Sequence, residues 1–227
     1  MFRKLFELWH REGLLQQALN DAQKMLDNAS ILFKKSVAPL FFDEPVNAQE
    51  IYDMDRELNR YEVEIRRKVM EHLSIFPKQD TTAALVLTTI TVDIERIGDY
   101  SKNFLELWEI YGSSFSKAAV FERLKKIYNN ILDMFQLTMD AMSNADAEQA
   151  RKAMELHIVN SKDCEEIIAA LIRNPGKTEN LAPNQEVLAA LTSRYLKRVS
   201  AHLKNVASSV VNPFDRIGFK PPDAEDF

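Results

Sequence analysis

At 227 residues, 46% of them hydrophobic and only five glycine, the chain is long enough to bury a sizeable core, which excludes a disordered or fibrous protein. A net charge of −5 with no strongly basic half argues against a nucleic-acid binder. The single cysteine, Cys164, excludes an internal disulfide, and no apolar run reaches the roughly 18–20 residues of a membrane span, so a soluble, cytoplasmic protein is expected.

The N-terminus, Met1-Phe2-Arg3-Lys4-Leu5-Phe6-Glu7-Leu8-Trp9, is too short and too charged for a signal peptide. It reads as an amphipathic extension over residues 1–13. Either its first turn packs on the body, or Phe2, Leu5, Phe6 and Trp9 meet a membrane, a partner or a second copy of the chain. A first helix is predicted from Leu14 to Val37, with Leu15, Ala18, Ala22, Met25, Ala29 and Leu32 on one face and a break at Pro39 and Pro45. A second runs from Asn47 to Ile75 along Ile51, Met54, Leu58, Tyr61, Ile65 and Val69, and Pro77 ends it. A third, Thr81 to Tyr111, has Asp80 as its expected N-cap and buries Ala83, Val86, Ile90, Ile94, Ile97, Phe104 and Trp108 before Gly112.

The plan then repeats. A fourth helix is predicted over Lys117–Met142, a fifth over Ala147–Ile172 up to Asn174-Pro175-Gly176, and a sixth over Asn184–Val211. From Pro213 the chain reads as loop or frayed tail. No alternating run suggests a sheet. The halves align at an offset of 102 residues: Ile94-Glu95-Arg96-Ile97-Gly98 matches Leu196-Lys197-Arg198-Val199-Ser200, and Met54, Glu64 and Ile65 match Leu156, Glu166 and Ile167. The expected fold is all-α, two tandem three-helix bundles over residues 14–112 and 117–211, with a C-terminal tail over 212–227.

Within the third helix, Glu95 and Asp99 lie four residues apart and leave the same face. Asp55 and Asn59 share that geometry on the second helix, with Glu62 nearby. Two readings fit. The residues form a solvated polar face neutralised by Lys102, or a pocket of oxygen ligands for a hard cation such as Mg, Ca, Mn or ferric iron, with Zn tolerated. Gly98, mid-helix and matched by the small Ser200, marks a close helix crossing in both halves. Arg96 and Arg198 recur at the offset, as do Asn103 and Asn205, and a structural role is expected for all four.

The segment Ile94-Glu95-Arg96-Ile97-Gly98-Asp99 followed by Lys102-Asn103, together with Met54-Asp55-Arg56-Glu57-Leu58-Asn59, resembles the signature of the PhoU family of prokaryotic phosphate-uptake regulators. The resemblance covers about residues 14 to 211 and implies the same double-bundle fold. It also implies a multinuclear iron or zinc cluster in the first bundle, on Asp55, Asn59, Glu95 and Asp99, with Glu62 as a further ligand. In the second half the corresponding positions are His157, Ser161, Lys197 and Ala201, with Cys164 matching Glu62, so one intact metal site at most is expected. His157, Cys164 and His202 are soft-metal ligand types, but ordinary packing and surface roles are expected of them.

The implied function is that of a non-enzymatic regulator or adaptor of inorganic phosphate uptake and phosphate-starvation signalling. Its implied partners are a phosphate transporter's ATPase or permease and a sensor histidine kinase, through which it would associate peripherally with the membrane. The alternatives are a metal-free helical scaffold, an adaptor of another transporter, and a carboxylate-bridged metalloenzyme. Against the last, there is no paired Glu-x-x-His motif and no glycine-rich phosphate loop.

Overall fold

The computed structural model describes residues 13–76, 80–176 and 181–219. The N-terminal extension with Phe2, Leu5, Phe6 and Trp9, the helix-ending Pro77 and the last eight residues lie outside them. Among the described residues there are six long α-helices, one 3-10 turn and no strand. The helices are α1 (Leu14–Phe42), α2 (Ala48–Ile75), α3 (Thr81–Tyr111), α4 (Ala119–Asn144), α5 (Ala147–Arg173) and α6 (Pro183–Val211), and the turn is Phe214–Arg216.

Helices α1, α2 and α3 pack on one another, as do α4, α5 and α6, and the two sets meet through α1 against α4 and α3 against α6. The expected pair of three-helix bundles is present. One main hydrophobic core runs through both, with a small satellite of Ala153, Met154 and Ala207 in the second. At its centre the buried Phe33 of α1 touches Phe104 of α3 and Tyr128 and Phe135 of α4, with ring centroids 5.6–6.0 Å apart. No described helix is long and apolar enough to cross a membrane.

Local chemistry sets the ends. Asn47 caps α2 by accepting from Glu50 N, and Asp146 caps α5 by accepting from Glu148 N and Gln149 N. Gly112 closes α3 in the left-handed region that glycine reaches without strain. Two expectations at helix ends need correction. Pro39 does not break α1, which continues to Phe42 with Pro39 buried inside it. A proline so near the C-terminus removes one late helical hydrogen bond, and the turn is held from outside by Phe115 N donating to Leu40 O at 2.7 Å. Asp80 precedes α3 but makes no side-chain cap, because its backbone is left-handed and its carboxylate sits 3.5 Å from His72 Nε2.

The tail was expected to be loose after Pro213, yet it is fastened to α6 as far as Phe219. Asn212 Nδ2 donates to Arg216 O and Phe219 O, and Gly218 N donates to Ser208 Oγ.

The internal repeat is a repeat of contacts as well as of letters. A Cβ built on Gly98 would lie beside Leu58, Asp55 and Leu32. The residues 102 positions on behave alike: Ser200 Oγ lies 3.0 Å from His157 Nδ1 and 3.4 Å from Met134 Sδ, and Asn160 Nδ2 reaches the same sulfur.

Candidate functional site

The carboxylate face of the first bundle is built where α2 and α3 come closest. Gly98 permits that approach, since a methyl there would stand 2.6 Å from Leu58 Cδ1. With the backbones this near, the stripe Asp55, Asn59, Glu62 of α2 meets the stripe Glu95, Asp99, Lys102 of α3. Asp55 is buried, Glu62, Glu95, Asp99 and Lys102 are partly buried, and Asn59 is exposed and makes no hydrogen bond to the others.

Lys102 is the resident cation of this face. Its ammonium lies 3.1 Å from Asp55 Oδ2 and 3.6 Å from Asp99 Oδ1, tying the two helices together. Burial lowers the Lys102 pKa, but its hydrogen bonds and attraction to the two carboxylates outweigh that, and the net shift is upward. Asp99 also accepts from Arg96 at 2.8 Å, and Glu62 pairs with Arg66 at 2.7 Å. Glu95 is the least compensated of the set. Burial raises its pKa, the charge of Asp99 adds to this, Arg96 opposes it, and Glu62 and Asp55 raise it again. The structure thus brings four of the five expected ligands into one electrostatic neighbourhood and leaves Asn59 at its rim.

Among the described residues no group of three or more histidine, cysteine or acidic side chains is arranged to hold a metal ion. The donor chemistry nevertheless suits a hard cation. The oxygens of Asp55, Glu62, Glu95 and Asp99 are all carboxylate, and burial followed by the charge of Asp99 raises the pKa of Glu95.

At the equivalent place in the second bundle the chemistry is different. Lys197, where the first bundle has Glu95, pairs with Glu165 at 2.5 Å. His157, where the first has Asp55, is partly buried against Ser200, and burial with the charges of Lys204 and Lys197 pushes its pKa down to about 4. Burial pushes the Cys164 thiol up to about 12, far from the thiolate a metal needs. These three side chains act as packing and pairing groups.

A third feature lies between the bundles, where α3 crosses α6. Asp93 Oδ1 accepts from His202 Nδ1 at 2.7 Å and from Asn205 Nδ2 at 2.9 Å, and the His202 ring stacks on Tyr100. Sequence reasoning passed over Asp93, although it is an acid set among Ile90, Ile94 and Ile97, where a buried polar group needs partners. The bundles are tied by Asn205 and His202 rather than by Arg96 and Arg198. Arg96 pairs with Asp99 and Glu95 on its own helix, and exposed Arg198 makes no ion pair among the described residues. An open groove of about 640 Å³ runs along this crossing past both arginines.

Comparison with known proteins agrees with the repeated architecture. The PhoU domain model matches this chain twice, over residues 17–107 and 124–210. The chain is 24% identical over 200 residues to the phosphate-specific transport system accessory protein PhoU homolog 1 of Thermotoga maritima, covering 87% of this chain and 80% of that protein. Its fold resembles the crystal structure of PhoU from Pseudomonas aeruginosa with a TM-score of 0.62, at 18% identity, over 87% of this chain and 92% of that one. With both halves accounted for by one domain model, the chain belongs to the PhoU family.

Proposed function

We propose that this chain regulates inorganic phosphate uptake by protein contact with a phosphate transporter or its sensor kinase, and that the carboxylate face of its first bundle holds a cation. The observation that carries the regulatory reading is the double match to the PhoU domain, one copy in each bundle. PhoU proteins are regulatory and non-enzymatic, and the Thermotoga relative is named as an accessory of a phosphate-specific transport system. Deleting the chain from its host should change phosphate uptake and the phosphate-starvation response. Unaltered uptake and signalling at both high and low phosphate would reject the reading.

In the cation reading, Asp55, Glu62, Glu95 and Asp99 would be the ligands, with Asn59 at the edge as a neutral oxygen donor. A bound iron or zinc ion would supply the positive charge that Glu95 lacks. The chain's own part is to hold four carboxylates on two helices pinned together at Gly98. A rival reading has its own support. Lys102 already bridges Asp55 and Asp99, so its ammonium supplies charge to a metal-free scaffold. Metal content by plasma mass spectrometry separates the two. The untagged protein should carry at least one equivalent of metal, lost in the Glu95→Ala/Asp99→Ala variant. No metal in either protein after reconstitution would leave the scaffold.

A further inference from the structure

The groove between the bundles holds a cation without a carboxylate partner among the described residues, the guanidinium of Arg198. Contacts along the α3–α6 crossing run antiparallel: Asp93 meets His202 and Asn205, while Phe104 meets Tyr195. Across such a crossing, residues related by the internal repeat face each other only near its local two-fold axis. Arg96 and Arg198 are one such pair, and Tyr100 and His202, stacked at 5.8 Å, are another. The repeat therefore brings two guanidinium groups to the same groove.

Their surroundings treat the two differently. Arg96 is paired through Nη1 with Asp99 at 2.8 Å and through Nε with Glu95 at 3.5 Å, whereas Arg198 has no carboxylate partner among the described residues. Asp93, the acid in the groove, is already served. His202 and Asn205 bond its Oδ1, and it attracts the half-buried ammonium of Lys204. The hydroxyls of Thr88 and Thr89 donate to Ala84 O and Leu85 O, so the guanidinium groups are the charged donors of the groove, beside the Tyr100 hydroxyl and the His202 ring. Two guanidinium groups lining one groove suit a ligand with more than one acceptor edge and more than one negative charge. A carboxylate offers a single edge, whereas a tetrahedral oxyanion offers several.

We propose that the groove between the two bundles is an anion site in which Arg96 and Arg198 together bind a tetrahedral oxyanion, inorganic phosphate. The choice of phosphate among such anions rests on the regulatory reading above, while the site rests on the groove alone. Occupancy places a double negative charge across the α3–α6 seam and draws the bundles together there. The site adjoins the carboxylate face through Arg96, which pairs there with Asp99 and Glu95, but its ligand is an anion and not a cation.

The test is calorimetric titration of the full chain, stripped of metal with a chelator, using inorganic phosphate, then sulfate and chloride. Saturable binding of one phosphate is expected, weakened at least tenfold in Arg198→Gln, partly kept in Arg198→Lys, and unchanged in Arg173→Gln. Arg198 is exposed, so its variants should melt like the parent. Binding that survives Arg198→Gln, falls equally in Arg173→Gln, or is matched by chloride would overturn the proposal, as would no saturable binding. Loss of binding in Glu95→Ala/Asp99→Ala alone would move the anion to the carboxylate face and also overturn it. Phosphate binding here combined with unchanged uptake after deletion would keep the groove and remove the regulatory reading. No binding with altered uptake would do the reverse.

Discussion

Glu95 shows how one side chain reports on its surroundings. Its pKa is raised, so the folded state holds a proton more readily than the unfolded chain. Between the ordinary glutamate value and the raised one, stability falls as pH rises, and above that window the penalty is complete. In metal-free protein, Glu95→Gln should therefore melt higher than the parent at pH 7. The gap should close as pH falls and vanish below the ordinary glutamate range. Thermal melts across pH in chelator check this, and a variant that melts lower at pH 7 would show that the Glu95 charge is already satisfied. If iron or zinc saturates the site, the order reverses, because the variant loses a ligand. The acidic stripe was visible in the sequence because the i, i+4 rule is local. Lys102 as the bridge to Asp55 was not, because that contact spans two helices.

At the scale of helices, Gly98 decides how closely α2 lies on α3. Alanine would gain about 1 kcal/mol of helix propensity. Its methyl group would, however, meet Leu58 Cδ1 at 2.6 Å, and Leu58 is buried with little room to turn. Overpacking of this kind costs about 1–3 kcal/mol, so Gly98→Ala should be net destabilising by up to about 2 kcal/mol. Adding Leu58→Val should recover part of the loss, giving a double variant more stable than the two single effects predict. Denaturant melts of the four proteins make the cycle, and simple additivity would mean that Leu58 is not the obstacle. Helix ends show what local reading captures. Thr81–Tyr111 was expected at its observed bounds, since Gly112 is a strong stop. Pro39 was misread because its effect depends on Phe115, which approaches from beyond α3.

For the whole molecule, the seam between bundles rests on Phe33 in the core and on Asp93 at the α3–α6 crossing. Asp93→Ala would leave the buried ends of His202 and Asn205 without their acceptor. Losing one such partner costs about 1–3 kcal/mol. A fall in Tm of roughly 4–8 °C follows for a loss of about 2 kcal/mol in a chain of this size. An unchanged Tm would mean the seam is held by apolar contact alone. The double-bundle plan was legible because a repeat carries long-range information in one dimension: matched letters imply matched environments. The seam was not legible, since nothing in the pattern around Asp93 names a partner more than a hundred residues away.

The matched trios around Gly98 and Ser200 also limit how the halves can be exchanged. Moving α6 into the berth of α3 would bring the Ser200 hydroxyl against Leu58, and moving α3 into the berth of α6 would leave His157 facing no hydroxyl. Each joint takes residues from all three helices of its bundle, so in chimeras of the two halves the smallest transplantable unit is the whole three-helix bundle, and recombination within a bundle breaks a fitted joint.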